Sequence, residues 1–327
     1  MANIAIINSS SVYNLGAHKI RQWHCDKGDA VIFSQRVNEF CLRCDKAYLS
    51  AIFTTDLPAL CQDALKLKSA GIEVEIGGPA PTAMPGYVEK ECGIKPHLGL
   101  DDRFESVKGN FEMVFTSRGC RNHCPWCIVP KLEPQILEYD DFPIPVGKNP
   151  WLGDNNLLGT SLEHQRLVVE KLKGVRNLDI NSGFEAALFT EDSYRLYSQL
   201  DLECFRLAFD SMDDEADFTR AVKIIKKHGV AHRGIAVYVL IGFPGSTYED
   251  AVYRLEKARS LGCSPYPQRY QPLKSINPRG YVAPGFNGEQ LTLLRGYWIE
   301  PRIWRSCTFA EYIKTQKARI ELKPPAY

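Results

Sequence analysis

Three cysteines within eight residues, Cys120-x3-Cys124-x2-Cys127, form the constellation in this 327-residue chain whose types and spacing most plainly could do chemistry. They sit in Ser117–Arg118–Gly119–Cys120–Arg121–Asn122–His123–Cys124–Pro125–Trp126–Cys127, where Gly119 and Pro125 help the backbone bend. Three thiolates on one loop can wrap one face of an iron–sulfur cubane, a group that favours thiolate ligands. Three ligands for four irons leave one iron open, and an open position is what separates a catalytic metal centre from a closed structural one. Two plainer readings compete. A structural zinc site needs a fourth ligand, for which His123 is near, but a zinc knuckle would not explain the β/α series that follows. An electron-carrying cluster wants a fourth cysteine in a small ferredoxin-like setting. A cluster with an open iron is therefore preferred, with a non-catalytic iron–sulfur or zinc protein as the alternative.

The other eight cysteines are scattered. A chain this long, without a basic, apolar leader, does not read as a disulfide scaffold, so most of them are expected to be buried thiols. Cys41-x2-Cys44 has ligand spacing and could hold a second cluster, although ordinary burial explains it as well. Cys307 lies among Trp298, Arg302, Trp304 and Arg305 and is expected to be a core thiol unless that segment covers a reaction site.

The elements that must position the triad can be read from periodicity. Asn3–Asn8, Ala30–Ser34, Ala47–Thr54 and Ile72–Ile76 are expected strands, and Leu57–Ala70 a helix with Leu60, Ala64 and Leu67 on one face. Strand, turn, helix and strand, with Gly77–Gly78–Pro79 at the sheet edge, predict a doubly wound α/β domain over 1–108. The polar stretch Cys92–Asn110 ends it. Phe111–Thr116 then reads as the strand that delivers Cys120, and Glu133–Gly147 as a long acidic loop. Strands at Pro150–Leu152, Leu178–Ile180, Cys204–Phe209 and Ile235–Ile241 alternate with helices at Leu162–Leu172, Glu191–Leu200, Asp213–His228 and Tyr248–Leu261. Such repetition predicts parallel strands with helices outside, a full or partial barrel over 109–280 whose catalytic loops follow the strand ends. Cys120, Asp154, Asn181, Asp210 and Gly242 all fall just past expected strands. Ser264–Leu273, dense in proline and aromatics, reads as a loop that would wall a substrate, with Arg269 available to a carboxylate or phosphate. A cap with a helix around Gly288–Arg295 fills 281–327.

Net charge is +1, which excludes a global pull toward nucleic acid or membrane. Eight Lys/Arg against four Glu from Arg279 onward are a weak RNA signal. The apolar run Ile4–Ile7 is too short for a signal peptide or a span, which points to a cytoplasmic protein with no membrane partner.

The cysteine loop, with Trp126 as the aromatic residue before the last cysteine, closely resembles the radical S-adenosylmethionine superfamily. The resemblance implies a [4Fe–4S] cluster on Cys120, Cys124 and Cys127 whose open iron chelates S-adenosylmethionine. It also implies an external electron donor of flavodoxin or ferredoxin type, and hydrogen abstraction from a small-molecule, peptide or RNA substrate. Methyl or methylthio transfer is among the outcomes. Gly153–Asp154–Asn155–Asn156 resembles the segment that holds the cofactor's amino group in cobalamin-type members. Asn181 and Ser182 match a ribose-contacting position, and Arg206 and Asp210 polar contacts near the fourth strand. Gly242–Phe243–Pro244–Gly245–Ser246–Thr247 resembles the family's adenine-side turn, with Ser246 in place of Glu. For Asn181, Asp210 and their like, simple helix capping is the plainer role. The first domain resembles a cobalamin-binding-like domain, but its Asp-x-His-x-x-Gly signature is absent, so loss of cobalamin or a structural role is favoured. Cys41 and Cys44 resemble part of the second-cluster set of methylthiotransferases, without a persuasive third cysteine. The implied fold is α/β: a Rossmann-like doubly wound domain, a partial (β/α)6 TIM-type radical SAM barrel and a short C-terminal cap.

Overall fold

The computed structural model describes residues 1–277 and 280–321. The chain is mixed α/β with several parallel sheets and falls into two compact units. The first comprises Met1–Ser182, Leu196–Leu202 and Gln271–Tyr281; the second comprises Gly183–Arg195, Glu203–Tyr270 and the chain from Val282. Arg279 and Lys323 of the basic tail lie outside the described residues.

In the first unit, β1 (Asn3–Asn8), β2 (Ala30–Ser34), β3 (Lys46–Ser50) and β4 (Glu73–Gly77) form a parallel sheet in the order β2-β1-β3-β4. The unbroken apolar run of β1 has a direct cause: alternate side chains enter two different cores. Ala5 and Ile7 pack with Leu57, Leu60, Ala64 and Leu67 of a helix spanning Leu57–Ser69. Ile4 and Ile6 pack on the other face with Ala17 and Phe104. The helices in this region are α1 (Leu15–Asp26), α2 (Leu57–Ser69), α3 (Pro79–Ala83), α4 (Pro85–Cys92) and α5 (Asp102–Glu105). Each fully buried leucine of α2 contributes about 1.5–3 kcal/mol by leaving water, which makes α2 the main apolar support of this sheet.

The same unit continues through β5 (Met113–Val114), β6 (Ser117–Arg118), α6 (Val129–Leu132), β7 (Leu137–Glu138), β8 (Trp151–Leu152), α7 (Leu162–Leu172) and β9 (Asp179–Ile180). Strands β5, β8 and β9 form a second parallel sheet, while β6 and β7 pair antiparallel. Here the structure departs from the expected strand Phe111–Thr116. Regular pairing stops at Val114, because the backbone N–H groups of Thr116 and Ser117 donate to the Asp154 carboxylate instead of to a neighbouring strand. Within the expected acidic loop, residues 137 and 138 form β7 and lie alongside β6, the strand that leads into the cysteine loop.

The second unit is built on β10 (Phe205–Ala208), β11 (Ile235–Ile241) and β12 (Ser264–Arg269), all parallel. Its helices are α9 (Glu215–Lys227), α10 (Tyr248–Ser260), α11 (Gly288–Trp298), α12 (Pro301–Ser306) and α13 (Phe309–Glu321); α8 (Glu191–Tyr197) precedes β10. Phe218, Ala221, Val222 and Ile225 of α9 are buried at i, i+3, i+4 and i+7, one apolar stripe facing the core. The proline-rich segment expected to be a loop is strand β12. Pro265 and Pro267 are two residues apart, so both turn the same edge of their strand outward and neither needs an N–H for the ladder. Among the described residues no helix is long and apolar enough to cross a membrane.

Candidate metal centre

The cysteine loop leaves β6 at Arg118 and turns at Gly119, which has φ +77°. A Cβ on Gly119 would lie 2.1 Å from the carbonyl oxygen of Gln135, so no side chain fits. Gly119→Ala is expected to cost more than the ~1–2 kcal/mol of left-handed backbone strain alone, because the 133–138 segment must also move. A urea midpoint lowered together with lost iron retention would show it.

Cys120, Cys124 and Cys127 are all half-buried. N–H groups point at the sulfurs of Cys120 and Cys127. Cys120 Sγ accepts from the backbone N of Asn122 at 3.4 Å and from Nδ2 of Asn156 at 3.6 Å, and Cys127 Sγ from the N of Val129 at 3.4 Å. Burial pushes the free Cys127 thiol up, and the Val129 N–H opposes that shift. Donors aimed at sulfur stabilise thiolates, the form that ligates iron. The donor set therefore fits an iron–sulfur cluster. Among the described residues no group of three His, Cys, Asp or Glu side chains converges as it would on a single metal ion. Three thiolates that each ligate a different iron need no such common point. His123, the tempting fourth ligand for zinc, is exposed.

What holds this loop comes from far along the chain. Asp154, only 1% exposed, accepts hydrogen bonds from N and Oγ1 of Thr116 and from N and Oγ of Ser117, at 2.6–3.2 Å. The Thr116 hydroxyl proton points to Asp154, so His164 Nε2, 3.1 Å from the same oxygen, must be the donor there. Burial lowers the pKa of His164, consistent with that neutral tautomer. Glu133 is equally committed: one oxygen takes Arg118 Nη1 at 3.1 Å, and the other takes the N of Gly119 at 2.8 Å and the side-chain amide of Asn155. Arg118 is buried and also reaches Glu105 of α5 at 3.0 Å, while Tyr139 and Lys19 bond to Glu105 as well. Burial opposes the Arg118 charge, and the carboxylates of Glu105 and Glu133 outweigh it, so its pKa is raised. The segment 154–156 thus serves the cysteine loop: Asp154 fixes the approach, Asn155 fixes Glu133, and Asn156 touches Cys120.

The remaining sequence candidates divide between the units. Asn181, just past β9, donates to Asp179 at 3.0 Å, and Ser182 beside it is exposed. In the second unit Arg206 lies 5.1 Å from the Tyr238 ring and 3.6 Å from Glu203. Gly242 ends β11 at φ +74°, where a Cβ would meet Leu291 at 3.0 Å. Phe243 meets Tyr270 edge to face, and Pro244 is exposed. Buried Arg254, on α10, donates to the carbonyl of Phe209 and to Ser246, tying the end of β10 to this turn. Trp126 is half-buried in the cysteine loop. Cys41 and Cys44 lie in the apolar core under the first sheet with Cys61 and Cys92. Their thiols donate to Asn38 Oδ1 and the carbonyl of Phe40, and burial pushes Cys44 up. Cys307 is half-buried, its thiol 3.6 Å from the carbonyl of Ile303.

Asp210 accepts from the N of Leu240 at 2.8 Å, and burial raises its pKa to about 6, against the pull of that N–H and of Arg254, with Asp214 adding to the rise. A carboxyl whose folded pKa is raised destabilises the fold only where it must ionise. The penalty is absent below about pH 4, where both states are protonated, grows as pH rises to about 6 and stays constant above, at no more than ~3 kcal/mol. Asp210→Asn keeps the oxygen that Leu240 needs. It is expected to stabilise the chain at pH 7 and leave stability at pH 3.5 unchanged, as read by urea unfolding at both values.

Thr116, Arg118, Glu105, Glu133, Tyr139 and His164 escaped the sequence reading as site residues. Arg118 lay inside the motif, but nothing local marks which distant carboxylates it will meet. No family model matches the chain, and no curated protein matches it.

Proposed function

We propose that this chain is a radical S-adenosylmethionine enzyme. The observation that carries the reading is the three-cysteine loop with N–H groups turned toward the sulfurs of Cys120 and Cys127. Cys120, Cys124 and Cys127 would hold the [4Fe–4S] cluster, and the open iron would take S-adenosylmethionine. Trp126, Asn181, Ser182, Arg206, Asp210, Gly242, Phe243 and Pro244 are its candidate contacts. The chemistry this cofactor pair supplies is one-electron cleavage of a sulfonium, giving methionine and a 5′-deoxyadenosyl radical that abstracts hydrogen. The protein's part is to hold the loop still, through Asp154 and Glu133, and to present the strand ends. A Rossmann-like domain over 1–108, a partial barrel over 109–280 and a cap from 281 are the architecture we assign. Parallel strands β9, β10 and β11, with Asn181, Asp210 and Gly242 just past their C-terminal ends, support it.

We assign the first sheet a structural role rather than cobalamin binding. The polar groups at its C-terminal edge bond one another: Asn14 Nδ2 donates to Asn8 and Ser50, and Ser10 to Asp56. The electron would come from a flavodoxin- or ferredoxin-type donor, in the cytoplasm, where free thiols persist. The substrate is a small molecule, peptide or RNA, with methyl or methylthio transfer among the outcomes. The test is anaerobic reconstitution with iron and sulfide, reduction with dithionite and assay for 5′-deoxyadenosine. Its formation only with reductant and S-adenosylmethionine supports the reading, whereas an intact cluster that yields none would sink it.

A further inference from the structure

We propose that Asn156 is a positioning residue that raises the reduction potential of the cluster by donating a hydrogen bond to Cys120. The inference rests on the reading that Cys120 ligates a cluster. Two observations carry it. Asn156 is 7% exposed, and its Oδ1 accepts from the N of Gly159 at 3.1 Å, capping the short turn Leu157–Gly159. That bond fixes which end of the amide is oxygen, so the group 3.6 Å from Cys120 Sγ is Nδ2, a donor. The donor also comes from outside the cysteine loop, on a segment anchored by Asp154 and Asn155. Its place is therefore set before any cluster binds.

The physical consequence has a definite sign. Reduction adds an electron whose charge is shared by the sulfurs, and an N–H dipole directed at a sulfur stabilises the more negative state. Hydrogen bonds to sulfur are one of the terms that set such potentials, and they act more strongly where water is excluded. With Asn122 N–H on the same sulfur, Cys120 accepts two such bonds, and only the Asn156 bond can be removed by a side-chain change.

Two substitutions separate this role from capping. Asn156→Ser keeps a capping oxygen and removes the amide donor without adding charge. Asn156→Asp keeps Oδ1 and turns a carboxylate oxygen toward the sulfur. The full-length chain and both variants are to be reconstituted anaerobically, assayed for iron and titrated with a redox dye series. The reduced cluster is read by electron paramagnetic resonance, and thermal unfolding is followed alongside. Asn156→Ser is expected to load iron normally and to be harder to reduce. At the wild-type midpoint its oxidised-to-reduced ratio should rise about tenfold, which is about 59 mV for one electron, with Asn156→Asp shifted further the same way. A loaded Asn156→Ser with the wild-type midpoint would overturn the proposal. So would loss of the cluster in both variants, because Asn156 would then be needed for assembly. Failure of the unaltered chain to bind iron would instead count against the proposed function.

Discussion

Replacing Cys120, Cys124 and Cys127 together by alanine is expected to give a folded chain that retains no iron and forms no 5′-deoxyadenosine. All three thiols are half-buried on a loop and none belongs to the apolar cores of the first unit. Their loss removes no large buried area, so the unfolding free energy from urea titration should change by no more than surface substitutions do, ~0.5 kcal/mol. The loop is held by Asp154 and Glu133, which contact residues 116–119 and not the thiols themselves. Loss of function without loss of fold is the pattern to look for, by iron assay, visible absorption and circular dichroism on one preparation. A variant that still binds a cluster would show that other cysteines can serve, and the four thiols buried in the first core, Cys41, Cys44, Cys61 and Cys92, would be the first to examine.

Glu133→Ala is expected to do the reverse, unsettling the fold and the loop together by about 3–5 kcal/mol, the usual cost of removing one partner from a buried ion pair. Arg118 would keep Glu105 but lose Glu133, while the N–H of Gly119 and the amide of Asn155 would lose their acceptor. The measurement is urea unfolding with iron retention alongside. Arg118→Met alone should be costly too, since it leaves Glu133 and Glu105 without their shared cation. The double variant should cost less than the two single changes summed, because the charges are lost together. Simple additivity would mean that the pair does not act as a unit.

Much of the fold was legible because it is local. The apolar run of β1, the α2 stripe Leu60–Ala64–Leu67 and the helix Leu162–Leu172 repeat with periods that the backbone imposes, and each lies where its pattern placed it. The prolines of β12 misled, because a proline reads as a loop until it is known which strand edge it faces. Only the pairing with β11 settles that. The expected strand Phe111–Thr116 fell short for a similar reason: an acceptor 38 residues away captured the N–H of Thr116.

The cysteine triad shows the same division most plainly. Sequence alone determined the three thiols, their spacing and the bend at Gly119, since all lie within one loop and covalent geometry limits how far apart they can be. Tertiary structure alone decided what surrounds them. Asp154, Asn155 and Asn156 read as candidates for holding a cofactor; only the fold shows that their side chains also bond to Ser117, Glu133 and Cys120. Glu133 read as one acid in an acidic loop, yet it closes on Arg118 and Gly119. The physical reason is that a carboxylate or amide has no period and no preferred distant partner written beside it. Its role follows from which buried donors the fold leaves within about 3 Å.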